Sequence, residues 1–168
     1  MILAFDVHYG EDKAFVAGVG FHSWQDRVAE GEYHCIVNGI ESYEPGSFYK
    51  REMPCILALL NEHQLSPEII VVDGYVYLDG HSRAGLGKHL YDALNQEVPI
   101  IGVAKQAFKG ISDDYAMTRG SSKKPLFVTS AGVSLESAKS DIETMAGENR
   151  IPLLLKKVDQ LCRELGSD

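Results

Sequence analysis

Residues 68–74 read Glu-Ile-Ile-Val-Val-Asp-Gly, and this stretch decides the fold. Four consecutive β-branched apolar residues between a charged residue and an Asp-Gly turn predict a strand covered on both faces. Such a strand sits in the centre of a mixed α/β sheet. Pro99–Ala104 predicts a second buried strand and ends at Lys105. Between the two, Arg83–Leu94 carries Leu86, Leu90 and Leu94 at a spacing of four, one face of a helix. Upstream, Phe48–Asn61 has Met53, Ile56, Leu57 and Leu60 at helical spacing, with Pro54 expected near the first turn, where its missing N–H is tolerable.

Further outward, Met1–Val7, Lys13–Trp24 and Arg27–Val37 are β-rich runs punctuated by glycine, with the turn Gly10–Asp12 after the first. They predict an antiparallel meander. Asn38-Gly39 and Tyr43–Gly46 carry turn chemistry. Gly110–Lys124 is polar and rich in Gly and Ser, the composition of a mobile loop. Leu126–Thr129 predicts a short strand, and Ser134–Ala146 a helix capped by Ser134. Arg150-Ile-Pro152 opens a last helix through Leu165. The order β-β-β-α-β-α-β-loop-β-α-α is that of a ribonuclease H-like α/β fold, an antiparallel three-stranded meander followed by alternating helices and strands, expected as one domain over residues 1–168.

Composition bounds the function. With 168 residues, 45% hydrophobic and 24% charged, the chain has globular proportions, which excludes disordered and fibrous classes. No apolar run approaches the ~18 residues of a membrane span, and the first ends at Asp6, too early for a signal peptide. Cys35, Cys55 and Cys162 are odd in number and in no metal spacing, which predicts reduced thiols in a cytoplasmic protein. The net charge of −8 argues against holding nucleic acid by bulk electrostatics. A carboxylate site charged with divalent metal leaves that class open, since the ion cancels part of the acidity.

Chemistry concentrates at strand ends. Asp6 and Asp73 each close an apolar strand, and Glu52 lies early in the helix between them. If the two strands are neighbours, the acids share one edge, where α/β sheets place ligands. Like charges that close require a cation, and an all-oxygen set suits Mg²⁺ or Mn²⁺. Taken singly, Asp6 reads first as a turn cap, Asp73-Gly74 as a turn and Glu52 as a solvated helix residue; the three together point to a site. Lys105 at the third strand end suits a phosphate or a leaving oxygen, or a lysine reaching solvent. His8, His34, His81 and His89 lack zinc spacing, Gly85 and Gly87 match no phosphate loop, and no nucleophile elbow supports a Ser or Cys.

Four segments together resemble the endonuclease V family. Asp6-Val-His-Tyr9 is similar to its opening strand. Tyr43-Glu-Pro-Gly46 with Phe48–Pro54 is similar to its Tyr-x-Pro-Gly to Arg-Glu-x-Pro segment. Asp73-Gly74, His81-Ser-Arg83 and Gly85 through His89-Leu90 resemble its central stretch, and Pro99–Lys105 its next strand. The resemblance implies metal ligation by Asp6, Glu52 and Asp73, with Asp159 at a late metal-site position placed by spacing, and catalysis by Asp6, Glu52, Asp73 and Lys105. It implies a wedge at Tyr43, Pro45 and Gly46, and substrate contacts at Gly74, His81 and Arg83. The implied reaction is Mg²⁺-dependent hydrolysis, with Mn²⁺ able to substitute, of a phosphodiester 3′ to a deaminated base, hypoxanthine or inosine, in DNA or RNA. The implied protein is a monomer with no membrane partner. The alternative is a non-catalytic nucleic-acid-binding module of the same fold. Departures are the near-immediate first strand, a shortened Gly110–Lys124, Ser82 where Pro is usual, Val133 where His is usual, and Pro152-Leu-Leu-Leu-Lys156 for the family's Pro-Glu-Pro-Thr-Arg.

Overall fold

The computed structural model describes residues 1–39 and 48–167. Strands β1 (Ile2–Tyr9), β2 (Lys13–Phe21) and β3 (Gly31–Asn38) form the expected antiparallel meander. Helix α1 (Phe48–Glu62), strand β4 (Ile69–Asp73), helix α2 (Leu86–Ala93) and strand β5 (Ile100–Ala104) follow, then β6 (Ala116–Met117), β7 (Leu126–Ala131), α3 (Leu135–Thr144) and α4 (Leu153–Gly166). The seven strands make one sheet in the order β3-β2-β1-β4-β5-β7-β6. β1, β4 and β5 run parallel at its centre, where the continuous apolar runs predicted doubly covered strands.

Alternation along each strand splits the core in two. Ala4, Val71, Ile101 and Val103 pack under α3 and α4, against Ala138, Ile142, Leu154 and Val158. Leu3, Phe5, Ile70, Val72 and Ile100 pack under α1 and α2, against Ile56, Leu59 and Leu90. No described helix is long and apolar enough to cross a membrane. The three cysteines are buried free thiols.

Four expectations need correction. Gly110–Lys124 is built, because Ser112 accepts from the Asp114 amide at 3.2 Å to cap a turn of 3-10 helix over Asp113–Tyr115, and β6 then pairs with β7. Arg119, 6% exposed, anchors the same segment by donating to the carbonyls of Met145 (2.6 Å), Asn149 (2.7 Å) and Gly147 (3.2 Å). Residues 83–85 precede α2 instead of starting it, since the Arg83 carbonyl accepts from Leu78 and the Gly85 amide donates to Val76. The meander strands also end earlier or start later than their apolar runs: Asp26 accepts from the His22 and Ser23 amides at 3.0 Å and turns the chain there. Pro54 lies in the second turn of α1, inside the helix.

Gly102 in β5 lets the chain after β4 cross the sheet end. A Cβ there would lie 2.6 Å from the Gly74 carbonyl oxygen, 2.8 Å from Thr129 Oγ1 and 2.9 Å from the Val76 nitrogen. Thr129 Oγ1 meanwhile accepts from the Val76 amide at 2.8 Å. Two of those three neighbours are backbone and cannot swing away. Gly102→Ala should therefore cost about 1–3 kcal/mol, lowering Tm by roughly 2–12 °C in a calorimetric scan; an unchanged Tm would show that the crossing is slack.

Candidate active site

Register delivers the site. β1 pairs with β4 through Ala4↔Val71, and β4 with β5 through Val71↔Ile101 and Asp73↔Val103. Ala4, Val71 and Val103 all face the α3–α4 layer. Two residues further on in each strand stand Asp6, Asp73 and Lys105, so all three emerge on that same face at one sheet edge. Helix α4 packs over this edge and brings Asp159 to it. The four side chains line a cavity of about 340 Å³ together with His8 and Arg163. Lys105 Nζ lies 3.6 Å from Asp73 Oδ2, Asp6 Oδ1 accepts from the Val7 amide at 2.9 Å, and Asp159 Oδ1 accepts from Arg163 Nε at 3.2 Å.

Glu52 arrives from the opposite layer, on α1, and is 4% exposed. Burial, then the charges of Asp6 and Asp73, push its carboxyl up to about 8, against the opposing pull of Arg51. Burial, then the charge of Asp73 and the nearby Asp159 carboxyl, push Asp6 up to about 7. Asp73 is also raised, by burial and by Asp159, although 41% of its side chain meets solvent and Lys105 pulls it down. These acids repel one another, and Lys105 and Arg51 supply too little positive charge to ionise all of them.

That unmet negative charge, on oxygen donors alone, is the chemistry of a Mg²⁺ or Mn²⁺ site. Among the described residues no three His, Cys, Asp or Glu side chains are set to enclose an ion. The residues fit a hard cation that takes carboxylate oxygens and keeps part of its water. They do not fit a closed zinc cage.

The surroundings hold these groups in place. Arg150 donates from Nη2 to the carbonyls of Lys105 (2.5 Å) and Pro125 (2.9 Å), and from Nε to that of Lys124 (3.0 Å). The Arg51 guanidinium lies 3.7 Å over the Tyr9 ring, beside Glu52 in the chain. The Tyr9 hydroxyl and Arg51 Nε are buried without a hydrogen-bond partner among the described residues. Tyr49 stacks on His89 with centroids 3.6 Å apart. None of these contacts is visible in spacing; the run Arg150-Ile-Pro152 opening the last helix was the one sequence trace of Arg150.

Of the substrate residues implied by resemblance, Gly74 turns the chain off β4 with φ +137° and open space at its Cβ position. His81 and Arg83 sit on a turn organised by Asp79, whose carboxylate accepts from the amides of His81, Ser82 and Arg83 at 2.8–3.1 Å. Those bonds hold the Asp79 carboxyl well below the usual carboxylate range. Arg83 lies 5.5 Å over the Phe108 ring, and neither His81 nor Arg83 lines the acidic cavity. Tyr43, Pro45 and Gly46 lie outside the described residues.

Residues 1–144 match the family model of endonuclease V. The chain belongs to the endonuclease V family. It is 32% identical over 141 residues to an endonuclease V of Streptomyces avermitilis, covering 72% of this chain and 60% of that relative. The crystal structure of endonuclease V from Streptomyces avermitilis superposes with a TM-score of 0.77 at 26% identity, covering 98% of this chain and 80% of the other. Endonuclease V of Ciona intestinalis, solved with a 24mer DNA containing an inosine followed by a ribo-adenosine, superposes at 0.78 with 19% identity over 98% of this chain and 84% of that one. The ribonuclease H-like fold expected from element order is the fold of these structures. The chain spans about 60% of the length of the curated endonuclease V sequences it matches.

The raised carboxyls fix a pH dependence. Folded values near 7 and 8 for Asp6 and Glu52 lie above the ordinary ~4 of the unfolded chain. Their contribution to stability is full below pH ~4 and is lost as pH rises through 7 and 8. Metal-free protein should therefore lose stability between about pH 4 and 8, and Asp6→Asn or Glu52→Gln should flatten the loss in urea titrations. A slope unchanged by both substitutions would show that these acids are not the source.

Proposed function

We propose that this endonuclease V family member is a nuclease hydrolase that cuts a phosphodiester 3′ to a deaminated base, hypoxanthine or inosine, in DNA or RNA. The observation that carries it is the convergence of Asp6, Asp73, Asp159 and Lys105 on one cavity, with Glu52 raised to about 8 behind them. Asp6, Glu52, Asp73 and Asp159 would hold Mg²⁺, or Mn²⁺ in its place. When bound, such a cation would supply positive charge to activate a water and to stabilise a departing oxygen. Lys105, 41% exposed and 3.6 Å from Asp73, offers its ammonium to a phosphate oxygen or to the leaving oxygen.

Base reading falls to the Gly74 turn, to His81 and Arg83, and to the wedge Tyr43, Pro45 and Gly46, since a base must leave the stack to be read. The protein works as a cytoplasmic monomer. The rival is a non-catalytic nucleic-acid-binding module of the same fold.

Inosine-containing DNA and RNA strands, each incubated with Mg²⁺, Mn²⁺ or EDTA, decide between the two. Metal-dependent cuts 3′ to inosine are expected, with Asp6→Asn, Glu52→Gln and Asp73→Asn each at least ~100-fold slower while remaining folded by circular dichroism. Binding without cleavage under any metal would establish the module instead. An ion at 100 times its Kd should also add about 2.7 kcal/mol of stability, read as a Tm rise.

A further inference from the structure

The acidic cavity does not end at the acids. A second cavity of about 390 Å³, lined by Lys105, Asn149, Arg150, Ile151, Leu155, Lys156 and Asp159, adjoins it. The two share Lys105 and Asp159. Each carries a cation beside Asp159: Arg150 and Lys156 line one, and Arg163 lines the other.

Helix α4 explains the symmetry. Lys156, Asp159 and Arg163 stand at spacings of three and four, so they form one stripe along one face. Lys156 and Arg163 are seven residues apart, ~10 Å along the axis at a 1.5 Å rise. A stacked strand advances ~3.4 Å per nucleotide, so the stripe spans about three nucleotides. Cations on both sides of an acidic centre suit a polyanion with repeating charge. A small monoanion would need one cavity. In a chain of net charge −8, that placement of positive charge is selective.

We infer that α4 is a rail for the cleaved strand: Lys156 and Arg163 hold the phosphates on either side of the scissile one. This rests on the nuclease reading above and adds the path of its substrate. In the free protein Arg163 is held on Asp159, at 3.2 Å, and 70% of its side chain remains open to solvent. The strand phosphate replaces Asp159 as its partner, which frees that carboxylate for the centre. Arg150 is fastened by Nε and Nη2 to three carbonyls and contributes a fixed charge at the rim.

The test uses the full chain and a labelled single DNA strand with one deoxyinosine. Lys156→Ala and Arg163→Ala should each raise KM roughly 2- to 10-fold with a smaller change in kcat. Each should also reduce the salt slope of binding, measured by anisotropy in Ca²⁺, by about 0.7. Arg27→Ala, in the turn at the opposite end of the sheet, controls for net charge and should leave both as they are. A strand trimmed to lack the flanking phosphates should bind the variants and the unmodified protein alike. Equal KM and equal salt slopes for all three proteins would overturn the rail while leaving hydrolysis intact. Reduced slopes in a protein that never cuts would sink hydrolysis and keep the rail.

Discussion

Mutual repulsion among crowded carboxylates is the constraint on which the rest depends. Asp6, Asp73 and Glu52 are drawn together from two strands and a helix, Glu52 buried and Asp73 still partly open to solvent, and each is raised by partial loss of water. A fold tolerates that only if the surrounding packing makes up the cost. The parallel centre β4-β1 and β4-β5, covered on both faces, provides it: Leu3, Ile70, Val72 and Ile100 on one side, Val71, Ile101 and Val103 on the other. The acids sit where that covered core ends and solvent begins, the one edge at which a cation can reach them.

Much of this was legible in the sequence because strand alternation is a strict period. Once Glu68–Val72 and Pro99–Ala104 read as neighbouring buried strands, the residues that closed them had to share an edge. The structure shifts the first by one residue at each end, to Ile69–Asp73, and starts the second one residue later, at Ile100–Ala104, which leaves the parity unchanged. Helix registers were legible for the same reason, and the Ser134 cap forms as expected, accepting from the Ser137 amide at 3.1 Å.

What stayed hidden are interactions without a period. Arg119 joins the segment before β7 to the carbonyls after α3, across a separation of about thirty residues, and no local pattern announces it. Gly110–Lys124 therefore read as a loop, since its composition describes exposed turns and its anchor lies elsewhere in the chain. Arg150 is the same case, with acceptors at Lys105, Lys124 and Pro125. Asp159 was placed by spacing alone, and the structure brings it to the cavity through the packing of α4 on β1, with Val158 and Cys162 buried beneath. Asp79 had no signal beyond a turn-forming Asp-Gly pair, yet it sets the geometry of the turn that presents His81 and Arg83.

Arg150 has a mechanical meaning as well. It stands two residues before the Pro152 that begins α4, and its guanidinium grips the main chain of Lys105 at 2.5 Å. Helix and lysine are thereby joined as a lever is to its fulcrum, with no glycine or long loop to take up slack between them. One guanidinium thus ties the start of α4 to the main chain that carries the Lys105 ammonium.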